Sequence, residues 1–231
     1  MCNPHLASLC QVYNLGLIGY GEALQLQENL REARLWGEMV DVLLLLEHPP
    51  VLTLGTSGSE SDILVPTEVL SRESISTLYT NRGGGITYHG PGQLVGYPIF
   101  DLRNWGRDLH LYVHNLEEVI IRTLAGLSIS ACRIRDHRGV WVGDEKICAV
   151  GMLVAKWVTM HGFALNVNND LKHFSYIHPC GIIDKGVTSV SQLLGYEMTI
   201  KEILPNLLQS FSQVFGVAIE EKSPSELAKY Q

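Results

Sequence analysis

The segment Val42-Leu43-Leu44-Leu45-Leu46 is apolar at every position, with no alternation. A strand with one wet face alternates apolar and polar residues, so an unbroken apolar run demands cover on both faces. Just upstream, Ala23, Leu26, Leu30 and Ala33 recur at helical spacing, making helix followed by doubly covered strand the opening unit. Val51 to Leu54, Ile75 to Tyr79, Ile86 to His89 and Leu94 to Phe100 are further strand candidates, punctuated by Gly and Pro. Asp108 reads as the N-cap of a helix reaching about Leu124, with Val113, Leu116, Ile120 and Leu124 on one face. Val140 to Val142 and Ile147 to Ala155 flank Gly143-Asp144, which predicts a hairpin with Lys146 just past its turn. Val158 to Val167 follows as a strand broken at Gly162, where a bulge or a close backbone approach to a ligand is expected. Thr199-x-x-Glu202 is a capping box for the last long helix, and Ser189-x-x-Gln192 opens a short one. This irregular interleaving predicts an α/β chain of the α+β type, a mixed β-sheet covered by helices. No repeat or linker interrupts it, so a single domain over residues 1–231 is expected.

Composition narrows the function classes. Seventeen Lys and Arg against 24 Asp and Glu give a net charge of -7, the wrong balance for neutralising phosphates, so no nucleic-acid partner is expected. No apolar run approaches the roughly 20 residues of a membrane helix. The first thirty residues carry Glu22 and Glu28 and no apolar run ending in small residues. A cytoplasmic location is therefore expected, or the mitochondrial matrix in a eukaryote. Five cysteines without a C-x-x-C pair read as individual thiols in a reducing compartment. The densest basic stretch, Arg133, Arg135, His137 and Arg138, fits either a docking patch or a solvated loop.

The most unusual segment is Arg82-Gly83-Gly84-Gly85-Ile86-Thr87-Tyr88-His89-Gly90-Pro91-Gly92-Gln93. It is neither a P-loop nor a dinucleotide fingerprint. Its glycines suit either a crossover needing positive φ or a wall where backbone meets substrate. Pro179-Cys180-Gly181 sets a thiol in a loop. A lone cysteine is more often packing than nucleophile, and thiolate chemistry needs a base or cation beside it. Lys146, between apolar stretches that would desolvate it, is the candidate partner, although a lysine beside a turn is commonly just solvated. His110 and His114 stand at i and i+4, but Leu111 replaces the Glu of H-E-x-x-H and no third ligand is evident, so no metal is expected. The G-x-S-x-G elbow is absent, because Gly55-Thr56-Ser57-Gly58 has the wrong spacing. His48, directly after the apolar strand, is a candidate to line a site; His161 reads better as a hydrogen-bonded structural histidine.

Glu47-His48-Pro49-Pro50…Leu54-Gly55, the Arg82 to Gln93 run, Gly139-Val140-Trp141-Val142…Lys146-Ile147, His161-Gly162-Phe163-Ala164-Leu165-Asn166 and Pro179-Cys180-Gly181…Val187-Thr188-Ser189 together resemble the octanoyltransferases of lipoate biosynthesis, in order and spacing, over about Val12 to Phe215. The resemblance implies the catalytic α/β fold shared by biotin and lipoate protein ligases. It also implies octanoyl transfer from octanoyl-acyl carrier protein to an enzyme cysteine and then to a lysine amine. The expected acceptors are lipoyl domains of 2-oxoacid dehydrogenases and the glycine cleavage H protein. It assigns Cys180 as acyl-accepting nucleophile, Lys146 as its acid/base partner, and Arg82, Gly83, Gly84, Gly85, Ile86, Thr87, Tyr88, His89, Ala149, Val150, Gly151, Gly162, Phe163 and Ala164 as substrate-binding. Gly181 and the residues around Thr188-Ser189 are candidate N–H donors to an oxyanion. It implies no cofactor, no metal and a monomer. Gly85 and Phe163 stand where many members carry other residues, often Leu at the second. Rival readings are an ATP-dependent lipoate or biotin ligase and a non-catalytic acyl-binding module of the same fold.

Overall fold

The computed structural model describes residues 8–178 and 185–230. A strand, β1 (Ser8–Leu17), precedes the expected opening unit of helix α1 (Tyr20–Trp36) and strand β2 (Asp41–Glu47). Next come β3 (Val51–Leu54), helix α2 (Thr67–Arg72), β4 (Ser76–Tyr79), β5 (Ile86–His89) and β6 (Gln93–Ile99). Helix α3 (Leu109–Ala125) leads into β7 (Cys132–Ile134), β8 (His137–Val142), β9 (Glu145–Ala155) and β10 (Val158–Asn166). The chain closes with β11 (Gly186–Val187), α4 (Val190–Leu194), α5 (Ile200–Phe215) and β12 (Val217–Lys222).

Among the described residues the main sheet runs β12-β1-β2-β6-β10-β9-β8-β7, with β11 added beside β9, and a smaller sheet runs β4-β3-β5. Pairing is parallel at β12-β1-β2 and at β11-β9, and antiparallel from β2 through β7. The sheet is thus mixed, as expected. β2 explains its own composition. Leu43 and Leu45 pack with Leu116, Ile120, Leu207 and Phe211 of α3 and α5, whereas Val42, Leu44 and Leu46 pack with Ala23, Leu26 and Leu30 of α1. Both faces are covered, so a polar residue at any of these positions would be buried without partners.

The local signals act as read. Asp108 Oδ1 accepts from Leu111 N at 2.9 Å, starting α3. The reciprocal box of Thr199 and Glu202 starts α5, and Ser189 accepts from Gln192 N at the head of α4. Gly143, at φ 58, turns β8 into β9. One reading is corrected: Gly162 does not break its strand. It pairs with Gly151 in the middle of a continuous β10. A Cβ there would stand 2.3 Å from Gly96 O and 2.6 Å from Pro98 Cδ, so the neighbouring strand β6 is what excludes a side chain. The left-handed residue is its neighbour His161, at φ 57.

Among the described residues no helix is long and apolar enough to cross a membrane. No group of three or more His, Cys, Asp or Glu among them is disposed to hold a metal ion. His110 and His114 lie exposed on α3.

Candidate active site

A cavity of about 470 Å³ opens between β9, β10, the glycine-rich loop and the β7-β8 hairpin, a size typical of small-ligand sites. β9 and β10 run side by side along it. β9 contributes Lys146, Ala149, Val150 and Gly151; β10 contributes His161, Gly162, Phe163, Ala164 and Asn166. Phe163 is 2% exposed. Its ring lies so close over Gly96 that a Cβ on Gly96 would be 2.2 Å from Phe163 Cζ.

The glycine-rich loop is both crossover and wall. Gly84 has φ 93, and Gly83 N donates to Met152 O at 2.9 Å, tying the loop to β9. On its other side, Gly55, Thr56 and Ser57 donate to Gly85 O, Arg82 O and Gly84 O. Arg82, Gly83, Gly84, Ile86, Thr87 and His89 line the cavity. Gly85 and Tyr88 do not: Gly85 is buried against the 55–58 loop, and Tyr88 faces the small-sheet core beside His173 and Phe174. Alternation along β5 sends Tyr88 to the opposite face from Thr87 and His89. His48 is likewise not a lining residue. It lies fully buried behind Tyr97, which does line the cavity.

The inner end is a buried polar network. Arg82 Nη2 donates to Thr53 O at 2.6 Å and Thr53 Oγ1 at 2.8 Å. Thr53 Oγ1 and His89 Nε2 are 3.4 Å apart, and His89 Nδ1 donates to Gln93 Oε1 at 2.7 Å. Gln93 Nε2 then donates to Asn166 Oδ1 at 2.9 Å, and Asn166 Nδ2 donates to Thr188 O at 3.0 Å. His48 donates through Nδ1 to Ile18 O and accepts from Tyr97 Oη through Nε2, both at 2.8 Å. His161 donates through Nε2 to Asn81 Oδ1 at 2.7 Å, while its Nδ1 is buried without a partner. It is therefore hydrogen-bonded, as read, and also lines the cavity. Burial lowers the pKa of His48 and of His161 to about 4, with the Arg82 charge adding to the effect at His161. Burial holds His89 well below the ordinary range too. All three stay neutral at pH 7.

The outer end carries the charge. Lys146 Nζ sits over the Trp141 ring at 4.8 Å, and Lys185 Nζ over the same ring at 5.6 Å. Asp136, His137 and Arg138 reach the cavity from the hairpin. β11 lies in register with β9, Gly186 against Glu145 and Val187 against Lys146, and Thr188 N donates to Lys146 O at 3.1 Å. That bond occupies an amide read as an oxyanion donor. Cys180 and Gly181 lie outside the described residues. Of the described cysteines, Cys10 and Cys148 are buried, with thiol pKa values raised by burial, and Cys132 is exposed on β7. None of the three lines the cavity.

Residues 19–212 match the family described as the lipoyl protein ligase A/B catalytic domain. An octanoyltransferase of Desulforamulus reducens is 45% identical over 220 residues, covering 94% of this chain and 96% of the relative. One from Solibacter usitatus is 49% identical over 206 residues, covering 89% and 93%. The chain belongs to the octanoyltransferase family. It is an acyltransferase. Its fold is that of a bi-partite lipoate protein ligase from Thermoplasma acidophilum, with TM-score 0.75, 18% identity, and coverage of 96% of this chain and 91% of the other. Several lining residues of this family member were not expected at the site: Tyr20, Tyr97 and Phe174, and also Trp141 and Val187, which the sequence reading named only within motifs. Tyr20 comes from the first turn of α1, more than sixty residues before the glycine-rich loop, and only the folded sheet brings the two together.

Proposed function

We propose that the chain transfers octanoyl from octanoyl-acyl carrier protein to a specific lysine of lipoyl domains, those of 2-oxoacid dehydrogenases and the glycine cleavage H protein, through an acyl thioester on Cys180. The observation that carries this reading is the register of β11. Val187 pairs with Lys146, and Lys146, Gly186 and Val187 line the cavity, the last two lying seven residues or fewer along the chain from Cys180.

In the first half-reaction Lys146 takes the thiol proton of Cys180. The thiolate attacks the thioester carbonyl carbon, the bond to the carrier sulfur breaks, and the Lys146 ammonium protonates the leaving thiolate. In the second, the acceptor lysine amine attacks the acyl-enzyme, an amide forms, and the proton released returns through Lys146 to the Cys180 sulfur. Thioester plus amine becomes amide plus thiol. This exchange is downhill and needs neither ATP nor a metal. The segments named above, from Arg82 to His89, Ala149 to Gly151 and Gly162 to Ala164, serve substrate binding in this reading, Gly85 and Tyr88 from behind the wall. The chain acts as one catalytic domain, as a monomer, in the cytoplasm or its mitochondrial equivalent.

Intact-mass measurement after incubation with octanoyl-acyl carrier protein tests the proposal. One added octanoyl is expected on the wild type and none on Cys180→Ala. Adduct on Cys180→Ala would sink the nucleophile assignment, and modification of a lipoyl domain from free octanoate only with ATP would favour a ligase.

A further inference from the structure

Several basic residues of this acidic chain are held by carboxylates. Lys172 pairs with Glu73 at 2.8 Å, Lys185 pairs with Asp144, and Arg133 bridges Glu117 and Glu118 of α3 at 3.2 and 2.8 Å. Arg135 and Arg138 differ. The Arg135 side chain is 97% exposed, and its one ion pair among the described residues is a 3.9 Å approach to Asp136, itself 87% exposed. Arg138 is exposed and makes no ion pair among the described residues. Both sit at the tip of the β7-β8 hairpin, whose base is bolted to α3 by Arg133 and by Gly139 N donating to Glu117 Oε1 at 2.9 Å. Among the charged residues that line the outer end of the cavity, Arg138 and Lys185 are cationic and Asp136 alone is acidic. The mouth is thus positive in a chain of net charge -7.

Reach decides which partner this tip meets. A carrier delivers its thioester on a long pantetheine arm, so its protein surface stays well away from the reacting carbon. An acceptor lysine has only a four-carbon stem, reaching about 6 Å, so the surface around it must come down onto the mouth. The tip meets that point: Asp136 and Arg138 line the same cavity as Lys146. Resting on the acyl-enzyme reading above, we propose that Arg135 and Arg138 are the docking surface for the acceptor protein, engaging carboxylates that flank its target lysine. Cations placed there favour acidic neighbours of that lysine and repel basic ones, sorting acceptors before chemistry.

The two half-reactions separate the possibilities. Arg135 touches no part of the cavity, so Arg135→Glu loads from octanoyl-acyl carrier protein at the wild-type rate. Transfer from the loaded enzyme to a lipoyl domain then shows KM raised about threefold to tenfold with kcat little changed. Arg138→Glu raises KM further. Added salt narrows the gap, and replacing the acidic residues beside the acceptor lysine with Lys restores transfer by Arg135→Glu. Wild-type KM in both variants overturns the proposal, and slowed loading in Arg135→Glu assigns the tip to the donor instead. A wild-type enzyme that acquires no octanoyl mass at all would overturn the acyl-enzyme reading itself.

Discussion

The inner and outer ends of the cavity are built on opposite principles. Inside, Arg82, Thr53, His89, Gln93 and Asn166 hand hydrogen bonds from one to the next, and each is buried. Outside, Lys146 and Lys185 rest over one indole ring, and Arg138 stands exposed. A satisfied buried network fixes shape, because moving any member strands a polar group without water. Exposed cations fix no shape but select what approaches. In the reaction proposed above, one end serves recognition of the acyl group, and the other serves proton transfer and macromolecular encounter.

Removing Lys146 tests the outer end most severely. Lys146→Ala lowers the acylation rate by about 10²–10⁴-fold, the usual contribution of a positioned acid/base, while thermal unfolding shifts little. An unchanged rate and pH profile would remove Lys146 from the proton path. At the inner end, Gly162→Ala is a stability change, because its Cβ would strike the β6 backbone at Gly96 O. A loss of about 2–4 kcal/mol in denaturant unfolding is expected. A loss below half a kilocalorie would mean that β6 and β10 yield, and that the cavity is softer than its hydrogen bonds imply.

The histidines divide the two ends by pH. His48 and His161 titrate near 4 when folded, against 6.5 in the ordinary state, so the unfolded chain binds their protons first as pH falls. Stability they contribute is complete above about pH 6.5 and is lost progressively toward pH 4, by on the order of 2–3 kcal/mol per histidine. Urea midpoints at pH 7 and pH 4.5 measure the slope, and His48→Gln flattens it. An equal slope in that variant would place the acid sensitivity elsewhere.

Much of this was legible in the chain. The helix and strand periods of 23–33 and 42–46 named elements that the fold places face to face, and the caps at Asp108, Ser189 and Thr199 act locally, so local sequence announces them. β1 was missed. Its apolar face is short, Cys10 and Val12, before a bulge between Asn14 and Gly16 disturbs the alternation. Gly162 was half read: the strand is unbroken there and β6 excludes a side chain, while the residue also lines the cavity, and the two demands look the same in one dimension. Tyr88 came with the Arg82 to His89 segment that the resemblance assigns as a whole, and the strand turns its ring to the small-sheet core. Lining residues such as Tyr20 and Trp141 carry no local mark, because their role comes from long-range pairing.

The smallest expected effect joins the rigid and open parts of the molecule. Glu117 is 7% exposed and holds the hairpin base, accepting from Gly139 N at 2.9 Å and from Arg133 Nε at 3.2 Å. Glu117→Gln keeps the shape and one acceptor oxygen but removes the charge and offers an amide where a carboxylate oxygen accepted a bond. The cost is about 1–2 kcal/mol of stability, as for other charge-assisted hydrogen bonds. Its effect on catalysis falls on one step if the hairpin serves the acceptor: acyl-enzyme forms at the wild-type rate, while transfer to a lipoyl domain requires about twofold to threefold more acceptor, since a looser tip loses preorganisation but keeps both arginines. Equal slowing of both half-reactions would mean that Glu117 supports the cavity wall rather than the tip, and the hairpin would then belong to the rigid end of the site.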